Sequence, residues 1–237
     1  MCGIAGYSQN YDKLSEIDLT KMTDALKRRG PDDSGYFINK GVGLGMRRLS
    51  IIDIEHGQQP VHSQSGRYVA VFNGEIYNYK ALRDELTGCG FDFRSQGDAE
   101  VIVNLYEHEG LGALNRLRGM FAIAMWDTFT EELLLIRDQL GIKPIFYSLG
   151  GDSLIFGSEI KALLEVLPEK LDVNSQALDA LFAYTYIPAP LSIWKDIYKL
   201  KPGHYLKWHQ GKVEEHKYWD LLDSLDGPIP SISDIKK

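Results

Sequence analysis

Residues 120–156 read MFAIAMWDTFTEELLLIRDQLGIKPIFYSLGGDSLIF, and this stretch decides the fold. Four runs in it, 120–126, 133–136, 145–148 and 153–156, are almost continuously apolar. Short apolar runs bounded by turn signals predict strands, and their unbroken character predicts strands covered on both faces or lying inside a sandwich. Gly150-Gly151-Asp152-Ser153 has hairpin spacing and reads as a turn, not a nucleotide loop. Outward from this stretch, residues 158–166 (SEIKALLEV) predict a helix with Ser158 as N-cap and an acidic first turn. Residues 67–72 (RYVAVF) predict a strand. Residues 34–38 and 42–46 flank Asn39-Lys40-Gly41 as a hairpin, and residues 2–8 alternate small and apolar side chains like a strand. Helices are predicted where Ile17, Leu19, Met22 and Leu26 recur before Gly30-Pro31. They are also predicted over 79–86, with Leu82 and Leu86 on its apolar face, and over 99–107, with Val101 and Leu105. Two groups of strands interleaved with two groups of helices imply an α+β layered sandwich, two sheets face to face with helices outside.

Past residue 170 the texture changes. Residues 175–184 predict a helix, Pro188 and Pro190 break it, and 198–208 with 212–219 predict a hairpin turning at Gln210-Gly211. Residues 221–237 contain Gly227-Pro228-Ile229-Pro230-Ser231 and read as a linker after a domain spanning 2–220.

Composition narrows the class. The 237 residues are 44% apolar and 25% charged, the values of an ordinary soluble globular protein. A net charge of −7 argues against an extended nucleic-acid surface. No apolar run approaches the roughly 20 residues of a membrane span, and the N-terminus lacks the pattern of a signal peptide. Two cysteines, Cys2 and Cys89, make no disulfide framework, so a cytoplasmic protein is expected. Cys89 lies at a predicted helix end and is given no role. The six histidines form no metal-spaced cluster, and no phosphate-loop pattern occurs.

The chemistry concentrates at Met1-Cys2-Gly3. Removal of Met1, which the small Cys2 and Gly3 favour, would put a thiol and a free α-amine on one Cα. A thiol of pKa about 8.5 beside an amine of about 7.7–8.0 is a nucleophile with its own general base. The bland alternative is a buried cysteine in a first strand. Asn73-Gly74 follows the strand 67–72. It is either a hairpin turn or a tight turn whose Gly74 N–H and Asn73 amide form an oxyanion hole. Arg48, in Arg47-Arg48-Leu49-Ser50-Ile51-Ile52-Asp53, is either a solvated strand-end residue or a two-pronged carboxylate clamp. Asp98 is either a helix N-cap or a partner for an α-ammonium group.

The segments CGIAGY (2–7), RRGPDDSG (28–35), RRLSIID (47–53), GQQP (57–60), FNGEIYNY (72–79), GDAEV (97–101), RDQLGIKPIFY (137–147) and FGSEIKAL (156–163) occur in register. Together they resemble the glutaminase domain of glutamine-hydrolysing asparagine synthetases, a class II glutamine amidotransferase of the N-terminal-nucleophile (Ntn) hydrolase type. The resemblance covers residues 2 to about 220. It implies a four-layer αββα sandwich of two antiparallel sheets flanked by helices. It implies Cys2 as nucleophile with its α-amine as base, and Asn73 and Gly74 as the oxyanion hole. Arg48 is implied to hold the glutamine carboxylate, Glu75 and Asp98 to recognise its α-amino group and amide, and Leu49 and Ile52 to line the pocket with backbone. The implied reaction passes through a γ-glutamyl thioester and releases glutamate and ammonia. Ammonia then serves a C-terminal synthetase domain, absent from this chain, that makes asparagine from aspartate. ATP and Mg2+ are expected only there, and no cofactor or metal in this chain. Family members are often dimers, and a homodimer is the corresponding expectation. Two other readings stay open: the same glutaminase serving a different acceptor, and a non-catalytic relative with Met1 retained.

Overall fold

The computed structural model describes residues 2–9, 13–50, 53 and 56–224. Its strands are β1 (Gly3–Gln9), β2 (Asp33–Asn39), β3 (Val42–Arg48), β4 (Val61–His62), β5 (Tyr68–Ile76), β6 (Gly119–Asp127), β7 (Glu132–Arg137), β8 (Phe146–Gly150), β9 (Ser153–Gly157), β10 (Ile197–Lys199), β11 (His204–His209) and β12 (Lys212–Lys217). Its helices are α1 (Glu16–Asp24), α2 (Tyr79–Gly88), α3 (Ala99–Glu109), the single turn α4 (Ala113–Arg116), α5 (Ile160–Leu164) and α6 (Ser175–Tyr184). The strands form two antiparallel sheets, ordered β10-β8-β9-β1-β3-β2 and β12-β11-β7-β6-β5-β4.

The sheets pack face to face. Ile4, Leu44, Met46 and Phe156 of the first meet Val71, Ala124, Leu135 and Trp208 of the second in one buried core. Each fully buried Val, Leu, Ile, Phe or Met among them contributes about 1.5–3 kcal/mol. Strand residues alternate faces, so the neighbours of these positions point outward and need a second cover. For the first sheet, Ala5 and Tyr7 pack with Leu19, Met22 and Leu26 and with Leu163 of α5. For the second, Phe72 and Phe121 pack with Leu86, Val101, Leu105 and Leu114. The order of layers is therefore αββα. This is why β6 is apolar on both faces: each side of the strand meets a different core.

The predicted hairpins form. Gln210 (φ 49°) and Gly211 (φ 79°) both adopt the left-handed conformation that a tight two-residue turn demands. Four sequence expectations need correction. Ile17 does not share the buried face of α1; it is 67% exposed, while Leu19 and Met22 are buried. Helix α1 stops at Asp24, before Gly30, whose role is instead close approach. A Cβ there would lie 2.3 Å from the Arg47 carbonyl carbon of β3. Ser158 does not cap α5; the N-cap position belongs to Glu159. Ser158 extends the β9–β1 ladder: its N–H donates to the Ile4 carbonyl at 2.8 Å, and its hydroxyl accepts the Ile4 N–H at 3.0 Å. Residues 198–208 are not one strand. Tyr198 pairs with Tyr147 in the first sheet, and β11 begins at His204 in the second, so the chain crosses between sheets through Pro202 and Gly203.

Candidate active site

Cys2 immediately precedes β1, at one end of the space between the sheets. Its Sγ lies 3.5 Å from the Leu49 N–H and 3.7 Å from the Leu49 carbonyl oxygen. Its own carbonyl accepts a hydrogen bond of 3.0 Å from Arg29 Nε, and Arg29 Nη1 binds Glu159 Oε1 at 3.0 Å. Burial pushes the Glu159 carboxyl up, but hydrogen bonds from Lys161 and Arg29 outweigh it and hold it below its ordinary value. A charged pair thus anchors the main chain of Cys2. Sequence reasoning missed Arg29; the only signal was its place in the RRGPDDSG segment, since its partner is 130 residues away.

Asn73-Gly74 is not a turn. Both residues lie inside β5 and pair with Ala122 and Phe121 of β6. Gly74 is glycine because β6 is too close for a side chain: a Cβ would stand 2.0 Å from the Met120 carbonyl oxygen. Both residues still line the cavity, by another geometry. β4 covers the far edge of β5 only opposite Val69 and Ala70. Beyond that point the outward N–H groups are met by side chains. Phe72 N–H donates to Gln59 Oε1 at 2.6 Å, and Ile76 N–H to Asp98 Oδ2 at 2.9 Å. Main-chain groups alternate edges along a strand, so the Gly74 N–H points to this same open edge between them. Asn73, one residue out of phase, turns its side chain to the inter-sheet face with Val69 and Val71. It is 1% exposed, and its Nδ2 has no partner among the described residues. A buried amide donor without an acceptor is costly unless something else supplies one.

These residues line one cavity of about 90 Å³ together with Cys2, Arg48, Leu49, Glu75 and Asp98. That is far below the roughly 300 Å³ at which pockets for drug-sized ligands begin, and it suits a small polar substrate. Arg48 is buried and donates from Nη2 to the Asp53 carbonyl at 2.6 Å. Gly57 passes so near that a Cβ would lie 2.4 Å from that Nη2. The Asp53 carboxylate accepts the Gln96 N–H at 2.6 Å and the His56 N–H at 3.1 Å, and these bonds, Gln96 foremost, hold its pKa down. It ties the segment after β3 to the one before α3. There, Glu100 accepts the N–H groups of Arg94 and Ser95, fixing the loop that carries Gly97 and Asp98 into the cavity. Asp98 stands at the N-cap position of α3 but turns its carboxylate to β5. Burial pushes its pKa up; the Ile76 N–H opposes this and the Glu75 charge adds to it.

Of the expected site residues, the structure brings Cys2, Arg48, Leu49, Asn73, Gly74, Glu75 and Asp98 to this cavity. Ile52 lies outside the described residues, as does Met1. Gln59 and Lys143 also line the cavity and were not singled out, although each lies in a quoted segment. The set combines a thiol, two uncharged donors, a guanidinium and two carboxylates, the complement of a zwitterionic amino acid that carries a carbonyl in its side chain.

The model of the glutamine amidotransferase domain matches residues 1–219. The chain belongs to this family. Among curated relatives, asparagine synthetase [glutamine-hydrolyzing] 1 of Bacillus subtilis is 37% identical over 86% of this chain and 33% of its own length. Asparagine synthetase [glutamine-hydrolyzing] 2 of the same organism is 39% identical over 95% of this chain and 31% of its own length. The chain therefore spans about a third of these relatives. A relative of a different name, amidase chry2 of Gibberella zeae, is 35% identical over 93% of this chain and 34% of its own length. Among solved structures, glutamine phosphoribosylpyrophosphate amidotransferase of B. subtilis superposes on this amidotransferase domain with a TM-score of 0.67. It shares 17% identity, covering 92% of this chain and 49% of that one, a likeness of fold.

Proposed function

We propose that this amidotransferase domain hydrolyses glutamine to glutamate and ammonia with Cys2 as nucleophile. The observation that carries the reading is the unpartnered Asn73 amide beside the open-edge Gly74 N–H, in one cavity with a half-buried thiol. After Met1 is removed, the α-amine of Cys2 takes the thiol proton. The sulfur attacks the side-chain carbonyl carbon of glutamine, a C–S bond forms, and the carbonyl oxygen becomes an oxyanion received by Asn73 Nδ2 and Gly74 N–H. Collapse breaks the C–N bond, and the α-ammonium returns its proton to the departing ammonia. Water, deprotonated by the same amine, attacks the γ-glutamyl thioester, and the C–S bond breaks to give glutamate and the thiol. Arg48 grips the α-carboxylate, and Asp98 with Glu75 holds the α-ammonium group, while Leu49 and Ile52 line the pocket with backbone.

Ammonia released here has an acceptor elsewhere. The names of the bacterial relatives, which are about three times longer, favour aspartate amidation to asparagine in a further domain that uses ATP and Mg2+. The relative named amidase chry2, which is not called an asparagine synthetase, keeps the alternative of a different acceptor in view. Cytoplasmic location and a homodimer belong to the same proposal.

The test is Cys2→Ala in the purified protein, with intact mass recorded first. Met1 should be absent from the native protein, and the variant should melt normally while releasing no glutamate. Glutamate release by Cys2→Ala, or full activity in protein that retains Met1, would end this mechanism.

A further inference from the structure

The geometry points to Gln59 as a positioning residue for the oxyanion hole: its side-chain oxygen replaces a missing strand and holds the Phe72–Gly74 segment of β5 in place. β4 pairs Val61 with Ala70 and His62 with Val69. Continuing that register by two residues puts Gln59 opposite Phe72. The main-chain pairing stops at Val61, and at the next ladder position Gln59 presents its side chain to Phe72. The Phe72 N–H is instead taken by Gln59 Oε1 at 2.6 Å. Gln59 is itself held from the other sheet. Its carbonyl oxygen sits 1.8 Å from where a Cβ of Gly35 in β2 would be, a contact only glycine permits. Gln59 thus spans the edges of the two sheets, with its main chain against β2 and its side chain on β5. It also lines the cavity with Cys2, Asn73 and Gly74.

The consequence is directional. On the open edge of β5 three successive outward N–H groups belong to Phe72, Gly74 and Ile76. Gln59 takes the first and Asp98 the third. The middle one is left for the cavity, framed by two fixed neighbours. Asp98 is already assigned to the substrate ammonium, so Gln59 is the dedicated fixture. Loss of the Gln59 acceptor leaves a strand edge with an unpaired N–H beside the two donors, free to shift. Because donors stabilise an oxyanion only at close range, a small displacement weakens the transition state more than the bound substrate.

This role presupposes the glutaminase reading above, so the first measurement is glutamate release by the native protein. No release there overturns that reading and this role with it, whereas the outcomes below bear on Gln59 alone. With activity in hand, Gln59→Met, which keeps length and removes the acceptor, should lower kcat about tenfold or more with KM for glutamine within about twofold. Inhibition by glutamate γ-semialdehyde reads the hole directly, since Cys2 sulfur adds to its carbonyl carbon to give a hemithioacetal whose oxygen occupies the oxyanion position. Its inhibition constant should weaken in parallel with kcat, while alkylation of Cys2 by iodoacetamide, which uses no oxyanion hole, stays near the native rate. Gln59→Glu keeps an acceptor for Phe72 and should recover most of the lost kcat. If Q59M does not fold, Q59N, too short to reach Phe72, carries the same contrast against Q59E. An unchanged kcat in Q59M, equal losses in Q59M and Q59E, or a rise in KM with kcat intact would each overturn the assignment.

Discussion

Asp98 shows how one side chain serves two demands. Its carboxylate is buried, it accepts the Ile76 N–H, and it shares the cavity with Glu75. Burial raises its pKa above the ordinary aspartate value, the Ile76 N–H pulls against this, and Glu75 pushes the same way as burial. A raised native-state pKa means that the charged form is disfavoured on folding. Stability from this group is complete below the unfolded pKa and is lost as pH rises through the native one. At neutral pH the site therefore carries a cost that the proposed α-ammonium contact would relieve. Asp98→Asn should raise Tm by a few degrees at pH 7, and the difference should vanish as pH falls well below the ordinary aspartate value of about 3.9, where both side chains are neutral. The same substitution should raise KM for glutamine by about tenfold or more, as a charge-assisted contact is lost. In the native enzyme, KM should climb as pH falls through a value above the usual aspartate range; a flat profile in acid would refute the assignment. Arg48 makes the companion case. Its fork already commits Nη2 to the Asp53 carbonyl, so orientation and charge are separable there. Arg48→Lys keeps the charge and loses the fork, and KM should rise about tenfold or more with kcat little changed, measured by steady-state glutaminase kinetics.

Strand β5 carries Asn73, Gly74 and Glu75 to the cavity, and it is also where sequence reasoning went astray in form. The dipeptide Asn73-Gly74 is a strong turn signal. It was overridden because β6 pairs with every residue from Tyr68 to Ile76 and leaves the dipeptide no freedom to turn. The strands between 119 and 157 were legible because each satisfies two cores at once, which writes an unbroken apolar run into the chain. Ser158 was misread because a serine before an acidic residue is a local cap signal, whereas its partner Ile4 is 154 residues away. Arg29, Gln59 and Glu100 escaped because each acts by reaching main-chain groups, and polar residues carry no periodicity that marks such a reach. Gly74→Ala tests the element. The added Cβ would sit 2.0 Å from the Met120 carbonyl oxygen, so β5 and β6 must part locally. A destabilisation of about 1–3 kcal/mol is expected in denaturant titration. With it should come a fall in kcat of about 10²–10³, the magnitude of a lost oxyanion donor.

The whole molecule divides the site between its two sheets. Cys2 leads into β1 of the first sheet, whereas Asn73 and Gly74 belong to β5 of the second. Among the described residues no hydrogen-bonded ladder joins those sheets, so the gap between the proposed nucleophile and the proposed oxyanion donors is set by the side chains of the shared core. Activity should therefore depend on where that core is damaged as well as on how much stability is lost. Met46 pairs with Ile4, two residues from Cys2, and packs in the inter-sheet core near the cavity. Leu133 belongs to the same core but pairs with Trp126, four residues along β6 from Ala122, about 13 Å away at strand spacing. Met46→Ala and Leu133→Ala should each cost about 2–5 kcal/mol in unfolding free energy. Their catalytic effects should differ. Collapse of the sheets around the Met46 vacancy shifts Cys2 against Asn73, and a misplacement near 1 Å costs about 10²-fold in rate. The Leu133 vacancy leaves that end of the sandwich unmoved, so kcat well below its Tm should stay within about threefold of native. Equal losses of kcat in two variants of matched stability would show that the core does not set the gap, and that the cavity holds its geometry through the loop contacts of Arg29, Asp53 and Glu100 alone.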